Sequence, residues 1–291
     1  MPILARARLV ARVGQDQMSV LSAALIVVAV TVVAIGAMLL VRRSAPAGSY
    51  FEDGDRAAGV FGVLATGFAV LLGFVVFLAF ESFDTSRSGA ENEAQIVAEQ
   101  LETAQLMPPA IRTSLSGELV CYARAVVHQE WPRMERGARS DGLNPWTVVM
   151  FRTLQTSEPR SASEQAAYSK WLDQRSDRQD ARTDRVHGAE GVIPTPLWIV
   201  LFLSAVVMFG FMLLFADSSE RAFVQATMMG GVAVVITSTL LLLWFLDNPF
   251  HDGIGGLRPT AMQRTLEIVD QGQVVSTEIP LPCDSGGKPR R

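Results

Sequence analysis

Two carboxylates close a long apolar run. In "GVFGVLATGFAVLLGFVVFLAFESFD", Gly59 to Asp84, the first charge is Glu81, and Asp84 follows one helical turn later. At about 100° per residue, Glu81, Asp84, Glu91, Glu99 and Glu102 fall within an arc of about 80°. Continued back into the apolar run, the same line passes Phe77, Gly73 and Thr66, with Ala69 and Gly62 at its border. Carboxylates repeated around an axis raise the local cation concentration, so this pattern fits an ion path. Small residues also let helices pack closely in lipid, and an acidic face is often simply solvated. Both readings stand at this point.

A second charged pattern lies further on. Arg175, Arg178, Arg182 and Arg185 share one helical face, and Asp173, Asp177, Asp180 and Asp184 share the opposite one. The arginines could neutralise the acidic line, meet anionic headgroups, or attract anions to a vestibule. Other chemistry is expected to be absent. No G-x-x-x-x-G-K-[ST], no G-x-G-x-x-G after a strand and no H-E-x-x-H occurs in the chain. His128, His187 and His251 stand alone, each read as a surface or interface histidine. Asp217-Ser-Ser-Glu220 reads as a helix cap. No enzyme activity, cofactor, metal site or nucleic-acid partner is expected.

The elements that must position these residues are membrane helices. Of 291 residues, 49% are apolar and 19% charged, and the charges cluster. Four uncharged windows separate Asp16 from Arg42, Arg56 from Glu81, Glu190 from Asp217 and Arg221 from Asp247, each 24 to 26 residues long. A hydrocarbon core of about 30 Å takes roughly 20 helical residues. In lipid the backbone must satisfy its own hydrogen bonds, so the windows are helices. The first, Val20 to Val41, is longer than the roughly 7 to 15 apolar residues of a signal peptide and reads as a retained span. Met1 and Met18 both stand as candidate start positions.

The resulting expectation is an all-α integral membrane protein with four transmembrane helices and a helical cytoplasmic bundle inserted between helices 2 and 3. Its parts are a basic arm (1–17), helices 1 and 2 (18–80), the cytoplasmic domain (81–191), helices 3 and 4 (192–246) and a cytoplasmic tail (247–291) whose last part is disordered. An even span count puts the termini and the central segment on one side. Basic residues in the short segments, with Arg178, Arg182 and Arg185 close ahead of the third span, tilt that side to the cytoplasm. Cys121 and Cys283 would then be free thiols in a reducing compartment. The central segment reads as helices along Phe83–Leu101, Ile111–Val126, Trp146–Leu154 and Ser163–Val186, and Val274–Ile279 reads as a possible tail strand.

The run "FESFDTSRSGAENEAQIVAEQLETAQLMPPAIRTSLSGELVCYARAVVHQEWPRMERG" resembles the bestrophin-like domain family of bacterial membrane proteins. The matching elements are Glu81, Glu93-Ala94, the Tyr122–Val127 helix and Glu130-Trp131-Pro132, then "IPTPLW" and "LDNPFHDG". The resemblance extends roughly from Met18 to Asp270. More distantly, Asp247-Asn248-Pro249-Phe250 resembles the Asn-Pro-Phe element of bestrophins, pentameric ion channels whose second helix lines the pore. That likeness implies an oligomeric channel of the bacterial inner membrane, narrowing at Phe77 and Phe80, with membrane lipid, inorganic ions and further copies of the chain as partners. The acidic line adds a cation preference. No acidic run follows Phe250, so calcium gating is not implied. The alternative is a non-conducting membrane-anchored scaffold or sensor.

Overall fold

The computed structural model describes residues 20–138, 142, 144–253, 255–272 and 279–290. The basic arm, and all of the expected tail strand but Ile279, lie outside these residues. Among the described residues the chain is helical without strands, apart from one isolated antiparallel bridge between Cys283 and Pro289. The helices are α1 (Val20–Ser44), α2 (Gly54–Ala104), α3 (Pro109–Ala125), α4 (Trp131–Met134), α5 (Pro145–Gln155), α6 (Ala162–His187), α7 (Thr195–Leu214), α8 (Ala222–Asp247) and α9 (Thr260–Asp270). They fall into two compact units, and α2 contributes to both.

The first unit comprises residues 1–81, 191–247 and 252–255. It holds α1, the first part of α2, α7 and α8, four helices long and apolar enough to cross a membrane. Asp53 opens α2 by accepting the Arg56 amide at 2.9 Å, which satisfies one of the orphan donors of a helix start. Phe68, Leu72, Val75 and Ala79 of α2 pack with Leu201, Ala205 and Met208 of α7 and with Ile236 and Leu243 of α8. Gly230 lets α1 approach α8, since a Cβ there would lie 3.1 Å from Ile35 Cδ1. Thr31, Thr66 and Thr239 each donate to the carbonyl four residues back, so their hydroxyls are satisfied without water. Asp217 differs from the expected cap. Its carboxylate turns back to the Ser219 amide and bridges to the Gly48 amide at 3.0 Å, and α8 begins only at Ala222.

The second unit comprises residues 82–190, 248–251 and 256–291. Its core joins Ala94, Val97 and Leu101 of α2 to Leu115, Leu119 and Tyr122 of α3, Met150 and Leu154 of α5, and Trp171 of α6. Between α3 and α4 the chain makes a π-turn, Val126–Glu130. The cause is close at hand: Pro132 has no N–H for the carbonyl of His128, so the ladder widens ahead of it. Ser161 and Glu164 form a reciprocal capping box at the start of α6.

Two expectations about the cysteines and the tail change here. Cys121 and Cys283 are joined in a disulfide and buried, so they are not free thiols. Residues 279–290 are placed against the second unit rather than free of it. Trp146 Nε1 donates to Gly287 O at 2.7 Å and Gln129 Nε2 to Gly286 O at 2.8 Å. Spacing in the sequence could not reveal this pairing, because the two sulfurs are 162 residues apart.

Candidate functional site

In the second unit, α6 turns an unusual seam inward. Ala167, Trp171, Gln174, Arg178, Ala181 and Arg185 recur every three or four residues and are buried, while Asp173, Asp177, Asp180 and Asp184 are exposed. The arginine face therefore serves the interior. Arg185 donates through Nε and Nη2 to both carboxylate oxygens of Glu93, and Nη2 reaches Glu130 Oε2 at 2.7 Å. Arg182 Nε lies 3.3 Å from the same Glu130 oxygen. Asn144, the cap of α5, donates to the other Glu130 oxygen at 2.9 Å, and Tyr122 Oη donates to Glu93 Oε1. Arg178 stacks over the Tyr122 ring at 4.6 Å and donates to Gln100 Oε1.

These contacts set the charges. Burial alone would raise the Glu130 carboxyl, but Arg185 and Arg182 beside it hold it below the usual carboxylate range. Burial, then Glu93, pushes the Tyr122 phenol well above its ordinary value, so it stays a donor. Burial would release the Arg185 proton more easily, yet Glu93 and Glu130 more than compensate and hold it on. The cluster ties α2, α3, the π-turn, the start of α5 and α6 together through charge-assisted bonds.

The acidic line has other partners. Glu91 pairs with Arg87 at 3.2 Å and Glu99 accepts from Gln95 at 3.0 Å, both partners on α2 itself. Glu93 and Glu130 appeared in the sequence only as family motif letters. The signal that could have found their role is the inward seam of α6, where Arg178 and Arg185 share a heptad-like spacing with Trp171 and Ala181.

On the first part of α2 the side chains divide sharply. Phe68, Leu72, Val75 and Ala79 are buried, whereas Thr66, Gly73, Phe77, Phe80 and Glu81 are exposed, as is Asp84 further along. Phe77 is 62% and Phe80 54% exposed, values that leave both rings uncovered by this chain. Nothing lies within 4 Å of a Cβ placed on Gly73.

The tail motif divides between the units. In the first, Asp247 at the end of α8 accepts the Val192 and Ile193 amides at 2.7 and 2.9 Å and Trp198 Nε1 at 3.3 Å, binding the "IPTPLW" element that leads into α7. In the second, the Asn248 carbonyl accepts from the His251 amide at 3.2 Å, and Pro249 O accepts Leu257 N at 2.8 Å. Phe250 is buried edge-on against Trp131, with ring centroids 5.3 Å apart. Among the described residues no group of His, Cys, Asp and Glu is arranged to hold a metal ion.

Four apolar helices, with a helical unit inserted in the chain between the second and third, define an α-helical four-span membrane protein. The chain belongs to the bestrophin-like domain family, whose model matches residues 14–262. Its fold is similar to that of a bacterial bestrophin homologue from Klebsiella pneumoniae carrying one substitution, with a TM-score of 0.66 and 14% identity over 86% of this chain and 99% of that one. A second variant of that homologue gives a TM-score of 0.63 at 15% identity, over 88% and 98%. A structure described as a membrane protein gives a TM-score of 0.64 at 15% identity, over 89% and 100%. At such identities the likeness shows the fold. No curated protein matches the chain.

Proposed function

We propose that the protein is an oligomeric ion channel of the bacterial inner membrane, with α2 lining the pore. The observation that carries this reading is the uncovered face of α2, on which Thr66, Gly73, Phe77, Phe80, Glu81 and Asp84 are all exposed while the opposite face is packed. Small and hydroxyl residues followed by two carboxylates suit a water-filled path better than an acyl-chain surface. Copies of the chain gathered about an axis would bury that face from lipid, and family likeness implies five. Phe77 and Phe80 would narrow the path, and rings of Glu81 and Asp84 would favour cations at its mouth. The pathway conducts rather than catalyses, and uses no cofactor.

Reconstitution in planar bilayers tests this. Phe77→Ala is expected to raise single-channel conductance. Glu81→Gln with Asp84→Asn is expected to shift the reversal potential toward anions under a salt gradient. Absence of current, or currents indifferent to these changes, would make the face a packing surface and the protein a non-conducting scaffold.

A further inference from the structure

We propose that Cys121–Cys283 is a structural disulfide and that the second unit therefore lies on the oxidising, extracytoplasmic side of the membrane. This reverses the orientation read from the charges and does not depend on channel activity.

The first support is how the tail is held. Residues 279–290 form no helix, and Cys283 is the one side chain among them that is fully buried. Two hydrogen bonds from side chains, Trp146 to Gly287 O and Gln129 to Gly286 O, anchor the segment to the rest of the unit. Each such bond contributes little after its exchange with water, whereas ordering a dozen residues is opposed by backbone entropy at every one of them. The segment also fits closely. A Cβ on Gly117 would strike the Pro280 carbonyl, and one on Gly287 would lie 2.8 Å from Ala125 Cα. The disulfide adds a covalent tie to these few contacts. With the bond formed, the loop between residues 121 and 283 is closed in the unfolded chain as well, and part of the ordering cost is already met.

Compartment follows from chemistry. Disulfides persist in the periplasm and other oxidising spaces and are reduced in the cytoplasm. Four spans put the segment between the second and third, which carries Cys121, on the same side as the tail, which carries Cys283. The charges oppose the reversal only weakly. The central segment exceeds the roughly 60 residues over which basic residues steer insertion. Arg42, Arg43, Arg56 and Arg221, in or beside the short connections, then stand against Arg6, Arg8 and Arg12 of the amino-terminal arm and Arg258 and Arg264 of the tail. That near balance leaves the choice to the disulfide. Arg178, Arg182 and Arg185, which tilt the count the other way, belong to that long central segment.

The test uses full-length protein in a bacterial host. Cells are quenched with acid and the protein is treated with a thiol-reactive polyethylene glycol. Wild type is expected to shift on a gel only after prior reduction, and to shift without reduction when made in a strain lacking periplasmic disulfide formation. Separately, Ser169→Cys on α6 and Ala47→Cys between α1 and α2, both exposed positions, are placed in a Cys121→Ser, Cys283→Ser background. A membrane-impermeant maleimide applied to spheroplasts is expected to label Ser169→Cys, and Ala47→Cys only after lysis. The opposite labelling pattern, or free thiols in wild-type cells, would overturn the proposal. Should the double serine variant fail to accumulate, the gel shift of the wild-type chain decides alone.

Discussion

Arg185 holds both carboxylate oxygens of Glu93 across 92 residues of sequence, and both side chains are buried. Glu130 shares the same guanidinium, so the charge on Arg185 is divided between two acids. Removing one partner from such a set leaves an uncompensated charge in the interior, which is more damaging than removing the whole set.

Arg185→Met is accordingly expected to lower stability by about 3 to 5 kcal/mol. Arg185→Lys should recover only part of this, because an ammonium cannot present the planar fork that meets Glu93 and Glu130 together. Thermal unfolding of detergent-purified protein measures both. Equal stability of wild type and Arg185→Met would mean the cluster contributes nothing.

Acid and base act on this unit in opposite ways through two glutamates. Glu130 is held below its ordinary value of 4.5, so its contribution is present above that pH and is lost as the pH falls through the folded value. Glu118 is pushed above 4.5 by burial, partly opposed by the hydrogen bond from Thr153. Its contribution is complete below pH 4.5 and is lost as the pH rises through the folded value. Glu118→Gln, which keeps an acceptor for Thr153, should therefore be more stable than wild type at neutral pH and lose that advantage in acid. Unfolding temperatures measured from pH 4 to 8 would show the crossover, and a pH-independent difference would contradict it.

Phe250→Ala removes a buried ring that packs edge-on against Trp131. A loss of about 3 to 5 kcal/mol is expected, typical of a large cavity. Trp131 fluorescence should also shift to the red as water reaches the indole, an effect that a distant destabilising change would not produce before unfolding. Unchanged stability and emission would mean that the ring contact is not made.

Gly89 marks a close approach of α2 to α6, where a Cβ would sit 2.8 Å from the Ala181 carbonyl. Backbone cannot give way as a side chain can, so Gly89→Ala is expected to cost about 1 to 3 kcal/mol. Gly73→Ala, with nothing within 4 Å of the added methyl in the single chain, should leave the unfolding temperature of the dissociated protomer unchanged. Comparable losses at both positions would refute the distinction.

The sequence by itself determined the membrane helices, because the requirement for about 20 apolar residues is met by contiguous composition and needs no distant partner. It also showed the helical periodicity of the central segment, and the buried positions Ala94, Val97 and Leu101 follow from it. The family likeness could be read from short motifs, but what those motifs do could not. Glu93, Tyr122 and Glu130 are scattered letters until α6 brings Arg185 among them, 92 residues from Glu93 and 55 from Glu130. Nor does helical spacing say which way the arginine face turns, since an outward Arg stripe and an inward one have the same periodicity. Tertiary structure decided that: Arg185 is buried against the carboxylates of Glu93 and Glu130, and Arg178 against Gln100 and the Tyr122 ring. It decided the cysteines for the same reason: a bond between residues 121 and 283 depends on where a tail folds back, and no local pattern encodes that.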